Sequence, residues 1–127
     1  MVRAVLYPVH TGRPRIVLLP VRQAPGRHPE PGMPFSDDVD VGHWFPHGCR
    51  SVEVANIPGT SFTLRGGYSV VSSAREHACP VNVTALRFLG VHLRGNVVVF
   101  RRCRLRSVRA CNVHSAERGL IDLVVQR

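Results

Sequence analysis

The sequence predicts an all-β fold, and three observations predict it. Apolar residues come in short runs rather than at helical spacing. Turn residues separate the runs, with 10 Pro and 11 Gly spread along the chain. Several runs either alternate polar with apolar residues or are rich in β-branched side chains, as strands are. About ten short strands at this spacing suit a sandwich, a jelly roll or a barrel. The 127 residues suit a single domain, 1–127, with one core.

Taken in order, Val2–Val9 reads as the first strand, closed by Pro8 and the His-Thr-Gly that follows. Arg15–Val21 is the second. Residues 23–36, QAPGRHPEPGMPFS, hold four Pro and two Gly and read as a loop that no helix tolerates. Asp37–Val41 alternates acid and Val, and Trp44-Phe45-Pro46-His47-Gly48 ends in a turn. Arg50–Ala55, RSVEVA, alternates as a half-buried strand does. Asn56-Ile57-Pro58-Gly59 and Arg65-Gly66-Gly67 read as turns around a short Ser61–Leu64 strand, and Tyr68–Ser72 as the next strand. Ser73–His77 is the one helix-like stretch, a single turn. Val81–Val83, Ala85–Leu89, Asn96–Arg106 and Leu120–Gln126 complete the strands, with Gly90–Phe100 forming a hairpin at Arg94-Gly95.

No stretch approaches the ~18 apolar residues of a membrane span. The opening MVRAVLYPVHTGR lacks the apolar core of a signal peptide. The expectation is therefore an intracellular chain with no membrane partner, its four Cys (Cys49, Cys79, Cys103, Cys111) reduced. In that setting the Asn82-Val83-Thr84 sequon carries no meaning. The formal net charge is +9, and all 17 basic residues are Arg. A GC-biased genome explains this by composition. A surface for phosphates or acidic partners explains it by function, because guanidinium binds oxyanions bidentately. Composition is the heavier cause, and the two can hold together.

Candidate chemistry is sparse. His43, His47 and Cys49 follow Asp37, Asp38 and Asp40, but Gly42 and Pro46 rule out the helix on which His-x3-His would make a zinc site. No metal or other cofactor is expected. Ser72 or Ser73 with His77, or Cys79 beside Pro80, lacks a nucleophile elbow, and neither phosphate-binding glycine motif is present. The densest charge is FRRCRLRSVR at 100–109. On a strand, Arg102, Arg104 and Arg106 point one way with Phe100, and Cys103 and Leu105 the other. Together with Arg101 and Arg109 they form a candidate basic surface for phosphate or an acidic protein. A solvated face written in Arg is the plain alternative.

Beyond single residues, an order of motifs stands out. Pro46-His47-Gly48 is followed by Ile57-Pro58-Gly59, Leu64-Arg65-Gly66-Gly67-Tyr68 and Ser72-Ser73-Ala74-Arg75-Glu76-His77. Gly90-Val91, Arg94-Gly95-Asn96-Val97 and Leu120-Ile121-Asp122-Leu123-Val124-Val125 come next. Over residues 32–126 this order resembles the trimeric dUTPase family, and among its relatives the dUTPase-derived early proteins of adenoviruses. The resemblance implies a distorted β-barrel or jelly roll and a homotrimer. It also marks Ser72, Ser73, Arg75, His92, Arg94 and Gly95 as positions of a degenerate nucleotide site.

The departures shape the functional expectation. The family's hairpin carries a water-orienting Asp and a sugar-packing Tyr, where this chain has Gly90, His92 and Leu93. The phosphate loop's Arg is displaced to Arg75, and Asp122 stands where the family has Gln in its closing strand. The Gly-rich C-terminal arm is expected to be missing, the sequence ending Val125-Gln126-Arg127. That ending also differs from the PDZ-binding tail of some of the viral relatives. The resemblance thus implies a catalytically inactive viral accessory protein that binds host proteins in the cytoplasm or nucleus. The alternatives are a nucleotide hydrolase using His92 or Asp122, an Arg-rich nucleic-acid binder, and a virion structural β-protein.

Overall fold

The fold is that of a computed structural model describing residues 2–10, 12–20, 40–56, 63–102, 110, 111, 113 and 117–126, with the backbone alone at 56, 63–66, 110 and 111. The elements are β1 (Val2–Tyr7), β2 (Arg15–Leu19), β3 (Cys49–Asn56), β4 (Thr63–Ser73), α1 (Val83–Leu89), β5 (Val97–Arg102), β6 (Ala110–Cys111) and α2 (Arg118–Gln126). A single 3-10 turn, Glu76–Ala78, precedes α1. The all-β class holds: the strands form one wholly antiparallel sheet in the order β2-β1-β5-β4-β3, with β6 pairing the end of β5, and only two short helices accompany it. Among the described residues β2 and β3 end the sheet, so it does not close there into a barrel.

Strand position explains the sequence pattern. Val97–Phe100 in central β5 are buried on both faces, as are Val5–Tyr7 of β1 beside it, so both read as unbroken apolar runs. The alternating RSVEVA belongs to edge strand β3, where only Val54 is buried among the described side chains. On one face Val5, Tyr7, Tyr68, Val97 and Val99 pack under Ile121, Val124 and Val125 of α2. On the other, Ala4, Leu6, Val71, Val98 and Phe100 pack against Phe45 and the half-buried Trp44.

Four expectations are corrected. Val81–Val83 and Ala85–Leu89 are not two strands, because Val83–Leu89 is α1. Asn82 accepts a hydrogen bond from the Ala85 amide at 2.9 Å, and this cap turns the chain into a helix despite its β-branched start. Leu120–Gln126 is not a closing strand but lies in α2, whose buried Ile121, Val124 and Val125 follow helical spacing. Arg65-Gly66-Gly67 is not a turn. The strand runs through it, with a register shift that sets residues 64–67 against Ala55 alone. Gly90 opens no hairpin: it caps α1 at φ 67°, and an extended link with a bridge from Val81 to Arg94 leads into β5. The Pro-rich stretch 23–36 and the turn residues 57–59 lie outside the described residues.

Helix α2 and Glu117 just before it are held to the sheet by two tyrosines. Tyr7 of β1 donates to Asp122 Oδ1 at 2.5 Å, and Tyr68 of β4 donates to Glu117 at 2.9 Å. Arg118 lies 4.0 Å from Asp122 and Arg101 3.6 Å from Glu117, so a phenol and a guanidinium meet at each carboxylate. Burial, and then the neighbouring carboxylate, pushes both phenols well above the ordinary tyrosine value. A raised folded-state value means stability that is complete below about pH 10 and is lost as the pH rises beyond it. With 2 Tyr and no Lys in the sequence, little else titrates between about pH 10 and 12. Urea unfolding is expected to show stability falling there by up to about 1.4 kcal/mol per pH unit for each tyrosine. Tyr7→Phe should roughly halve the slope. A flat profile from pH 9 to 12 would refute this account.

Candidate interaction groove

A groove of about 650 Å³ lies on the α2 face of the sheet, along edge strand β3. Alternation in β3 points Arg50, Val52 and Val54 to this face, because they pair across from Ser72, Val70 and Tyr68. Val52, Val54, Val70 and Val97 form the floor, and Val125 of α2 and Leu93 form the far wall. Arg50, Ser72, Glu76 and Arg94 supply the polar rim. The size falls within the ordinary range of ligand pockets, ~300–1,000 Å³.

Three of the four rim groups engage one another. Arg50 is ion-paired with Glu76, and its Nε donates to Ser72 Oγ at 3.4 Å. Both partners are about half exposed, so the pair contributes at most ~1 kcal/mol. Arg94 donates to the Cys79 carbonyl at 3.3 Å. It is the rim cation whose hydrogen bond goes to backbone rather than to a carboxylate.

The six residues of the expected nucleotide site do not form one site. Ser72 and Arg94 share the groove. Ser73 and Gly95 line a separate pocket of about 250 Å³ on the opposite face, with His10, Trp44, His47 and Cys79. Consecutive strand residues 72 and 73 face opposite ways, which is what separates them. Arg75 and His92 are both exposed, and neither lines either cavity.

Among the described residues the hydrogen bonds of Ser73 and Cys79 in the smaller pocket do not involve a histidine. The buried Ser73 hydroxyl accepts from the Arg75 amide at 3.2 Å and from the Cys79 thiol at 3.4 Å. His77 is exposed on the 3-10 turn. Cys49 and Cys79 are free thiols. Among the described residues no three His, Cys, Asp or Glu side chains gather as a metal site would require, and His43 and His47 are both exposed.

Of the expected basic surface, only Arg101 and Arg102 lie among the described residues. Arg101 and Arg102 lie on opposite faces of β5. Arg101 meets Glu117, whereas Arg102 meets Glu53 at 3.2 Å and donates to Ser69 at 3.0 Å. Phe100 shares the face of Arg102 but is buried, so it offers no ring for stacking on a base. Arg104, Arg106 and Arg109 lie outside the described residues.

Sequence reasoning missed Arg50, Val52 and Glu76 as site residues. The alternation of RSVEVA already put Arg50 and Val52 on one face. The pairing with Glu76 depends on sheet register and had no local signal. The chain matches no protein-family model, no curated protein and no solved structure. Among the described residues no helix is long and apolar enough to cross a membrane.

Proposed function

We propose that the chain is a non-catalytic binding domain that engages another protein through the groove along β3. One observation carries this reading. The groove joins an apolar floor to an edge strand, while its polar rim is spent on an Arg50–Glu76 ion pair rather than on an acid–base dyad. Partner proteins are commonly bound on such surfaces, with apolar anchors inside and a charged rim outside. The resemblance to degenerate dUTPases fits the same reading. It makes the chain an accessory protein acting on host proteins within the cell, with a homotrimer as the implied assembly. Of the six expected nucleotide-site positions, Ser72 and Arg94 lie in the groove.

A nucleotide hydrolase is the second reading, favoured by the same Ser72–Arg94 juxtaposition. Against a nucleic-acid interface stand the carboxylate partners of Arg101 and Arg102 and the burial of Phe100. Purified protein with dUTP and Mg²⁺ is expected to release no pyrophosphate. Release that disappears in Arg94→Ala would overturn the proposal in favour of the hydrolase. Proteins retained from cell extract by the wild-type chain should be lost with Val52→Glu. Retention unchanged by that substitution would remove the groove from the proposal.

A further inference from the structure

Strand β3 is an open edge with a cavity alongside it. We propose that the partner of this groove is an acidic, extended segment that adds to β3 as a new antiparallel strand. The inference rests on the binding reading above and names the form of the partner. Among the described residues nothing pairs the outer side of β3, which leaves a row of backbone donors and acceptors free to template another strand. Natural edges are blunted by shortness, charged side chains, Pro or bulges. Over Cys49–Val54 the edge carries the charges of Arg50 and Glu53 but no Pro, and its register against β4 is unbroken, the bulge coming only after Val54.

The other open edge, β2, is a weaker site. It is five residues long, Pro20 follows it, and neither described cavity adjoins it. At β3 the exposed face offers chemistry as well as backbone. Val52 is 39 % exposed beside the groove, and Arg50 stands two residues before it. A guest strand antiparallel to β3 sets alternate side chains opposite Val54, Val52 and Arg50 in that order. It therefore needs two apolar residues and then an acid, each separated by one residue. The acid meets Arg50 in competition with Glu76 and lies on the rim that also carries Arg94. The net charge of +9 favours such a guest and opposes pairing of β3 with a second copy of the chain.

The test uses the whole chain and a labelled, end-blocked peptide of sequence Thr-Val-Thr-Val-Thr-Glu-Thr, followed by fluorescence anisotropy at low salt. Binding is expected, with alternate β3 amides gaining protection from hydrogen exchange. Exchanging the Glu for Lys should weaken it by roughly five-fold. With Arg50→Glu that preference should reverse. Of two N-methylated peptides, one on odd and one on even residues, only the set whose N–H groups face β3 should lose binding. No binding, equal binding of the Glu and Lys peptides, or indifference to both methylation patterns would overturn the strand-addition inference. If Val52→Glu still abolishes retention of a cellular protein, that failure leaves the binding reading standing. Pyrophosphate release from dUTP would instead strike the binding reading itself.

Discussion

Asn82→Ala is expected to cost about 4 kcal/mol of folding stability, the sum of three buried hydrogen-bonding groups left without partners. Asn82 is fully buried, and its amide nitrogen donates to Tyr7 O and Gly95 O, both at 2.8 Å. Its oxygen accepts from the Ala85 amide, capping α1. The neighbouring residues continue the same seam. The Thr84 hydroxyl donates to Pro8 O, and the Val83 amide donates to Val9 O at 3.1 Å. The carbonyls of Tyr7, Pro8 and Val9, at the end of β1 and just beyond it, are thus received, one each, by Asn82, Thr84 and Val83. Removing the Asn82 side chain strips the first bond from this seam and the cap from α1 together. Asn82→Asp keeps the acceptor for Ala85 but turns a carboxylate toward two carbonyls. It should be at least as damaging at neutral pH and recover partly in acid, where a protonated carboxyl can donate. Urea unfolding of both variants at pH 5 and 7 checks this. A loss below about 1 kcal/mol for Asn82→Ala would show that the seam is not cooperative.

The same residue shows where sequence reading reached its limit. Asn82-Val83-Thr84 has the form of a glycosylation sequon, yet a fully buried Asn82 has no room for a glycan in the folded chain. Its cap to Ala85 is local, but its amide nitrogen bonds to Tyr7 and Gly95, 75 and 13 residues away, and no local pattern reports that. Helix α1 is too short to show a period, and Val83 and Thr84 favour strand locally. Tertiary partners decided the outcome. In α2 the apolar positions fit both periods, and burial of Ile121, Val124 and Val125 under the sheet selects the helix. What was legible depended on one or two strands only. The Val run of β5 announces a strand covered on both faces, and RSVEVA announces an edge. That Ser72 and Arg94 merit attention was legible because each stands in a recognisable stretch, and both line the groove. Their company, Arg50 and Glu76, comes from register. Arg101 and Arg102 were legible as charges but not as ion pairs, since Glu117 and Glu53 come from other elements.

Gly67→Ala is expected to cost about 3 kcal/mol, because the new methyl group meets backbone instead of a side chain that can move aside. Gly67 has φ +76°, and a Cβ built there lies 2.6 Å from the Val54 carbonyl oxygen and 3.3 Å from Ala55 Cα. Relief requires β3 and β4 to part where residues 64–67 bulge against Ala55. Gly90 supplies the control. Its φ of +67° is similar, but a Cβ there meets nothing within 4 Å, so Gly90→Ala should cost only about 1 kcal/mol. The difference between the two variants isolates the strand clash from the left-handed backbone they share. A Gly67→Ala loss no larger than that of Gly90→Ala would mean that the bulge relaxes freely. The clash also bears on function, because Val54 and Ala55 line the groove at the end of the straight part of β3. Parting the strands there shifts the residues a guest strand would lie against. Gly67→Ala protein that remains folded should therefore bind the acidic peptide more weakly than Gly90→Ala, although neither glycine itself has a side chain to touch the peptide.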